Sequence, residues 1–256
     1  MEILILTRTP SNHSSQRFLQ EGKALGHQVH LGNPEILDTR KIPADVIIPR
    51  FGDFRLEESL DTLRFFERKA RRVLNPSAAF IEARHKWYSH LCLREEGIPQ
   101  PESRLLSRSA LLQERFSAPL VVKLTESMKG QGVFLVQNRE QALGLPLAEE
   151  YLCQRFYPEC AGRDLRVFVI NNQVVAAMER RNLQGDFRAN LSLGGQAFPV
   201  DLSPLEIELA LRSTQALRLD YAGVDLIRTH EGPLVLEVNP SPGFAGLEKI
   251  SGLNIA

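Results

Sequence analysis

No segment of the chain approaches the roughly 20 consecutive apolar residues that a membrane helix needs. Its start, MEILILTR, has an acid at the second position and only four apolar residues in a row, too short and wrongly flanked for a signal peptide. A soluble, cytoplasmic protein with no membrane partner is therefore expected. Cysteine is scarce. Cys92, Cys153 and Cys160 are odd in number, lack zinc-ligand spacing and sit among apolar neighbours, which fits buried free thiols in a reducing compartment. Neither sign of charge is in excess, with 31 Lys and Arg against 31 Asp and Glu. Without a global positive field, direct binding of nucleic acid is not expected. Internal repeats and low-complexity tracts are missing too. What remains is 256 residues, 43% hydrophobic and 24% charged, enough for one large core or for two to three packed lobes.

The run at 3–6 (ILIL) has the composition of a strand buried on both faces. The polar segment TPSNHSS follows and can cap a helix over about 15–25. Strands are predicted at 29–31 and 46–48, then a charged helix at 56–72. Strands alternating with helices indicate a small parallel α/β lobe over 1–75, with Asn75-Pro76 as its boundary. Residues 79–96 read as one amphipathic helix stopped by Gly97 and Pro99. In a second lobe, 76–150, LVVKL at 120–124 and residues 133–136 form a hairpin with a long tip. A third lobe, 151–256, holds strands at 151–156, 165–170 and 174–179, the last two joined at Asn171-Asn172-Gln173. Residues 182–195 are polar and glycine-rich, a loop. A helix over 204–218 has Ser203 and Glu206 spaced as a capping box, with Pro204 at its first position. GVDLIR, THEGP and LVLEVN then read as strand, turn and strand. The class is α/β, with α+β lobes.

With that last turn centred on Glu231, Asp225 lies opposite Glu237, and the two-residue period puts Glu237 and Asn239 on one face. Val224, Leu226, Leu236 and Val238 are apolar and can face the core. Two carboxylates and an amide suit a hard cation that keeps some waters and also binds phosphate oxygens, which describes magnesium. The plain alternative is a hairpin with ordinary solvated acids. Acids set opposite each other without a cation would repel, which favours the metal.

Lys123 lies inside the apolar strand LVVKL, so it must reach a partner or lose its charge. Ser127-Met128-Lys129-Gly130-Gln131-Gly132 follows, and its glycines let backbone N–H groups approach an anion. The loop is neither a Walker loop nor GxGxxG, and a tip of this kind is often only a turn. Lys86, in ARHKWYSH, reads by itself as a surface lysine, and Trp87 as core packing. Arg163, Asp164, Arg166, Arg180, Arg181 and Arg188 make a charge-rich stretch of the kind usually found on a solvated face. They fall in the same third of the chain as the acidic hairpin. Phosphoryl transfer needs both features, a cation between phosphate oxygens and guanidiniums on the developing charge. A nucleoside triphosphate unites them.

RDLRVFVI, VVAAMERRNLQGDFRANL, YAGVDLIR and GPLVLEVNPSPGFAGLEKISGLNIA, together with the lysines and the metal hairpin, resemble the ATP-grasp ligases. Within them the chain is similar to the RimK type, which adds glutamate to the C-terminus of a ribosomal protein. The resemblance implies an ATP-grasp fold behind an N-terminal parallel α/β domain. It implies that Lys86 and Lys123 contact the ATP phosphates, and that the backbone of Arg155 and Phe156 meets adenine. Asp164 matches the ribose position, and Arg188, Ala189 and Asn190 match an Arg-Ser-Asn triplet that reaches the nucleotide. Asp225, Glu237 and Asn239 match the ligands of Mg2+ or Mn2+, two ions, and Arg166 matches the arginine that steadies the transferred phosphoryl group, with Arg188 as a second catalytic arginine. The chain departs from the pattern in places. Arg155 stands where a glutamate is usual, Ser127-Met128-Lys129 replaces a smaller and more neutral tip, the N-terminal lobe is shortened, and relatives usually continue past Ala256 into a further helix. The last two bear on the acceptor surface and leave room for a homo-oligomer.

The chemistry that this resemblance implies is a carboxylate–amine ligation through an acyl phosphate, releasing ADP and phosphate. Such an enzyme positions reactants and neutralises charge, and no Ser–His–acid or Cys–His pattern calls for a nucleophile. The loops at 126–132 and 182–190 are expected to close and keep water off the acyl phosphate. The expected partners are ATP, L-glutamate, and the C-terminal carboxylate of a protein or peptide. Other readings are a small-molecule or carrier-protein acceptor, and a nucleotide-binding regulator without turnover; the full set of metal ligands and lysines opposes the last. Arg8 follows the first predicted strand and Arg50 the third. In a parallel sheet both emerge at the carboxyl edge, where ligands bind, and there they can hold a substrate carboxylate, with surface arginines as the plain alternative.

Overall fold

The computed structural model describes residues 1–36, 44–51, 56–125, 127, 130 and 132–256, with backbone alone for 56–58. The chain starts with β1 (Glu2–Leu6), α1 (His13–Ala24), β2 (Gln28–Gly32), β3 (Val46–Pro49), α2 (Leu56–Glu67) and β4 (Arg72–Val73). The strands form a parallel sheet in the order β2-β1-β3-β4. Leu4, Ile5 and Leu6 of the central β1 are fully buried, because a strand covered on both faces has no solvated side to show. Leu4, Leu6 and Ile47 pack against Leu60, Leu63 and Phe66 of α2. α1 starts two residues before the predicted position because Asn12 takes the N-cap, accepting the Ser15 N–H at 2.8 Å. α2 stops short of residue 72 because Lys69 and Ala70 both donate to the Phe66 carbonyl, and Arg72–Val73 then pair with β3.

α3 (Ser77–Arg84) and α4 (Lys86–Glu95) are two helices where the sequence predicts one. His85 leaves the helical region at φ −78°, ψ 103°, and its Nδ1 accepts the Tyr88 N–H at 3.2 Å. The imidazole thus replaces a turn of the backbone ladder, and the Lys86 N–H goes to the Thr125 carbonyl at 3.1 Å instead.

β5 (Ser103–Ser107), α5 (Arg108–Gln113), β6 (Leu120–Leu124), β7 (Val133–Val136), α6 (Arg139–Leu143) and β8 (Glu150–Arg155) follow. Their strands make an antiparallel sheet, β5-β8-β6-β7, packed on α5 and α6 through Val122, Val136, Tyr151, Leu111 and Ala142. The remaining elements are β9 (Arg163–Ile170), β10 (Gln173–Arg181), β11 (Gln196–Phe198), α7 (Pro204–Ala216), β12 (Tyr221–Thr229), β13 (Gly232–Asn239) and α8 (Ala245–Ser251). They build an antiparallel sheet, β11-β10-β9-β12-β13. The turn between β9 and β10 places Asn171 and Asn172 at φ 46° and 59°, a region asparagine tolerates. α7 carries the full capping box from Ser203 and Glu206.

Alternation along this last sheet decides where the chemistry goes. Leu165, Val167 and Val169 pack with α7 and with Ala79, Ala83 and Leu93 of α3 and α4. Asp164, Arg166 and Phe168, one residue out of step, face the other way. Among the described residues no helix is long and apolar enough to cross a membrane. All three cysteines are free, Cys153 and Cys160 buried and Cys92 half-buried.

Asn75 ties the first sheet to the last. Fully buried, it donates to the Tyr221 and Pro240 carbonyls at 2.8 Å each and accepts the Asp220 and Tyr221 N–H groups at 2.6 and 3.2 Å. Replacing Asn75 with alanine strands buried backbone groups, so stability should fall by about 3 kcal/mol. A urea midpoint that does not move would show that these bonds are dispensable.

Candidate active site

β12 and β13 meet in the two-residue turn His230-Glu231, across which Thr229 pairs with Gly232. A regular ladder from that turn would set Asp225 opposite Leu236. Instead Leu226 pairs with Val235 and Asp225 with Glu237, leaving Leu236 as an extra residue. The predicted Asp225–Glu237 pair therefore exists, although the turn is centred between His230 and Glu231; the bulge supplies the missing residue. The bulge also moves Leu236. Val224, Leu226 and Val238 lie in the core as predicted, but Leu236 packs with Tyr157, Ile227 and Leu234 on the opposite face, because an extra residue reverses the sense of the pleat.

That face forms one wall of a cavity of about 590 Å³, lined also by the β5-β8-β6-β7 sheet and by the segments that leave the first sheet. Asp225, Glu237 and Asn239 all open onto it. Among the described residues no three acidic, His or Cys side chains cluster as a metal site. The donor set is two carboxylates and one amide oxygen, the latter also accepting the Ser241 N–H at 2.9 Å. An all-oxygen set of this size fits magnesium, which keeps waters and shares phosphate oxygens.

Asp225 is held from two sides. Arg166, directly across on β9, donates Nη2 to Oδ2 at 2.8 Å and Nε to Oδ1; Arg180 on β10 donates Nη2 to Oδ2 at 2.8 Å. Arg180 also forms a two-pronged pair with Asp164, at 2.6 and 2.7 Å. All four side chains are at most 11% exposed. Burial pushes the Asp225 carboxyl up, but Arg166 and Arg180 together overcome it and hold it below the usual carboxylate range. Gly223, one pleat away, keeps the space open: a Cβ there would stand 3.0 Å from Arg166 Cδ and 2.8 Å from Pro242 Cβ. Arg180 is the residue that sequence reasoning left in a solvated charge run. Only its cross-strand position opposite Asp164 reveals a buried role.

Lys86 and Lys123 converge from the other side. Lys86 is buried, not a surface residue, and its Nζ donates to the Ser127 carbonyl. Lys123 is 7% exposed. Burial brings its ammonium down from an ordinary 10.5 to about 8, with Glu237 pulling upward and Lys86 pushing further down. Met128, Lys129 and Gln131 lie outside the described residues. Gly130 is described, at φ +75°, and a Cβ there would meet Asn190 Oδ1 at 2.8 Å. Arg188 joins the two loops. It pairs with Asp186 at 2.7 Å and donates to the carbonyls of Gly130 and Val133 at 2.9 and 3.4 Å. Ala189 is buried beside it and lines the cavity with Asn190.

Arg155 ends β8. Its N–H goes to the Glu102 carbonyl at 2.9 Å, and its side chain lies over the Tyr157 ring. Phe156 meets Phe187 edge-on at 6.2 Å. Gln154, which sequence reasoning passed over, is 3% exposed and lines the cavity. Its Nε2 donates to Ser103 Oγ at 2.9 Å, while its buried Oε1 has no partner. The signal was there: a glutamine inside the apolar strand YLCQRF. Trp87 stacks on His90 at 5.2 Å. Arg8 and Arg50 both reach the cavity from the first sheet. Arg8 pairs with Glu35 at 3.0 Å.

The three sheets around one charged cavity make this an ATP-grasp fold. A RimK domain protein of ATP-grasp type from Sphaerobacter thermophilus DSM 20745 superposes with a TM-score of 0.76, covering 99% of this chain and 96% of that one at 20% identity. The ATP-grasp ligase PsnB, solved with a phosphomimetic variant of its minimal precursor, Mg and ADP, gives 0.74 over 99% and 94% at 18% identity. At the level of sequence, residues 83–256 match the RimK-like ATP-grasp domain. A probable alpha-L-glutamate ligase of Pasteurella multocida (strain Pm70) is 37% identical over 286 aligned residues, covering 100% of this chain and 91% of that protein. The chain belongs to the RimK-like ATP-grasp family and is an ATP-grasp ligase.

The lowered Lys123 has a thermodynamic signature. Between its folded value of about 8 and the unfolded lysine's ordinary value, the unfolded chain binds more protons, so stability rises with pH across that window. Relative to Lys123→Met, the wild-type protein should gain about 2 kcal/mol between pH 8 and about pH 10. Parallel stability–pH curves for the two proteins would refute the shift.

Proposed function

We propose that this ligase joins L-glutamate to the C-terminal carboxylate of a peptide or protein, with ATP as the driving substrate. The observation that carries the reading is one cavity holding an arginine-clamped Asp225 in register with Glu237, and Lys86 and Lys123 facing them. The curated relative is named for glutamate ligation, and PsnB was solved with its precursor peptide PsnA2; both support the choice of substrates.

In this reading Asp225, Glu237 and Asn239 hold magnesium, which when bound draws charge from the phosphate oxygens. Lys86 and Lys123 fix the phosphates. The backbone at Arg155 and Phe156 meets adenine, and the Gln154 oxygen suits its exocyclic amine. Asp164 stands at the ribose, and Arg188, Ala189 and Asn190 close over the nucleotide. An oxygen of the acceptor carboxylate attacks the γ-phosphorus, the bond to the β-phosphate oxygen breaks, and ADP leaves. The glutamate amine then attacks the acyl carbon, the carbon–oxygen bond to phosphate breaks, and the ammonium proton is lost. Arg166 spreads the charge on the moving phosphoryl group. Asp225 has one set of lone pairs to divide among Arg166, Arg180 and a cation, so Arg166 can turn to the phosphoryl oxygens without leaving Asp225 unpaired.

ADP release should appear only with ATP, an amino acid and an acceptor together, and Glu237→Gln should lower it by about a hundredfold or more. A screen over amino acids and acceptors, read by mass spectrometry, identifies the substrates. Glutamate on a peptide C-terminus is the expected product; products formed only on small amines would overturn the peptide acceptor.

A further inference from the structure

Arg50 leaves the carboxyl end of β3, pinned by its own N–H to the Leu6 carbonyl at 2.7 Å. Its side chain is 7% exposed, and the buried Nε and Nη1 make no hydrogen bond. The guanidinium lies 5.8 Å from the Phe18 ring centre, a contact that restrains its plane but accepts no hydrogen bond. Among the described residues no carboxylate pairs with it. This sets Arg50 apart from Arg8, Arg166, Arg180 and Arg188, each of which has an acid partner.

A buried guanidinium without a counter-charge is costly, and the site around it is built for an anion. Arg50 lines the cavity together with Asn12, His13 and Ser14 at the start of α1. That helix is 12 residues long and carries no acid of its own in its first turn, where Asn12 caps the Ser15 N–H and Glu248 of α8 pairs with the His13 side chain, so its positive end favours an anion. The phosphate-facing groups, Lys86, Lys123, Arg166 and Arg188, come from other elements. A guanidinium forks through Nη2 with either Nε or Nη1, and both of those nitrogens of Arg50 are unused, which matches a carboxylate held by two bonds.

We infer that Arg50 and the first turn of α1 bind a carboxylate of the incoming amino acid, one that is not activated, and so orient its amine. This rests on the ligase reading above. A ligase needs such an anchor, because an amino-acid donor differs from a simple amine chiefly by its carboxylates.

The test uses the full chain with ATP, peptide acceptor and L-glutamate. Arg50→Gln should raise KM for the amino acid by about 30-fold or more, leaving KM for ATP and for the peptide near wild type. Arg50→Lys should recover part of the loss. L-glutamate, added with ATP analogue, should raise the Tm of the wild-type protein and not of Arg50→Gln, a readout independent of turnover. Donors with either carboxylate converted to its amide separate the groups: one amide should lose on wild type and lose nothing further on Arg50→Gln. An unchanged KM for the amino acid, or a rise confined to ATP or to the peptide, overturns the inference. No product from wild type with any amino acid defeats the ligase reading itself.

Discussion

Two arginines and two aspartates neutralise one another on the inner face of the C-terminal sheet, and the cavity is organised around that fact. Arg166, Asp225, Arg180 and Asp164 sit on three adjacent strands, so the pairing of β9 with β10 and β12 fixes all four at once. Burying such a set gains little stability, since hydrophobic residues of similar volume would serve as well or better. Its value is that the two central charges keep an alternative partner. Asp225 accepts from both arginines and Arg180 donates to both aspartates, so Asp225 and Arg180 stay paired when one contact is exchanged.

The surroundings protect that arrangement. The opposite face of the same strands is a continuous apolar layer against α7, α3 and α4, which fixes the strand register from behind. Gly223 leaves room for Arg166. The break at His85 lets α4 begin with Lys86 directed at Ser127; a continuous helix would have needed the Lys86 N–H for itself. Arg188 bonds to Gly130 and Val133, so the glycine-bearing hairpin and the loop after β10 are tied across the cavity.

Much of this was legible in the sequence, and the exceptions share a cause. Period-two alternation and turn residues placed the strands, because local pattern governs them. Ser203, Pro204 and Glu206 placed the start of α7 for the same reason. The Asp225–Glu237 pair was found with the turn half a residue away from where it is, and the bulge made up the difference. A bulge depends on what packs above and below the strand, which no window of one strand contains. Arg180 and Gln154 were missed in the same way, and the inward turn of Lys86 came only from the family resemblance. Each is an ordinary polar residue until a neighbouring strand or helix closes over it.

Arg155 lies at the rim of the cavity, with its side chain over Tyr157 at 4.9 Å and within 3.8 Å of Glu231. The residue's N–H is already spent on Glu102. Gln154 is different: its side-chain oxygen is buried and unpaired and its Nε2 donates to Ser103, so its identity cannot change without removing the Ser103 contact. Adjacent positions in one strand thus carry opposite constraints, set by which face of the strand each side chain occupies.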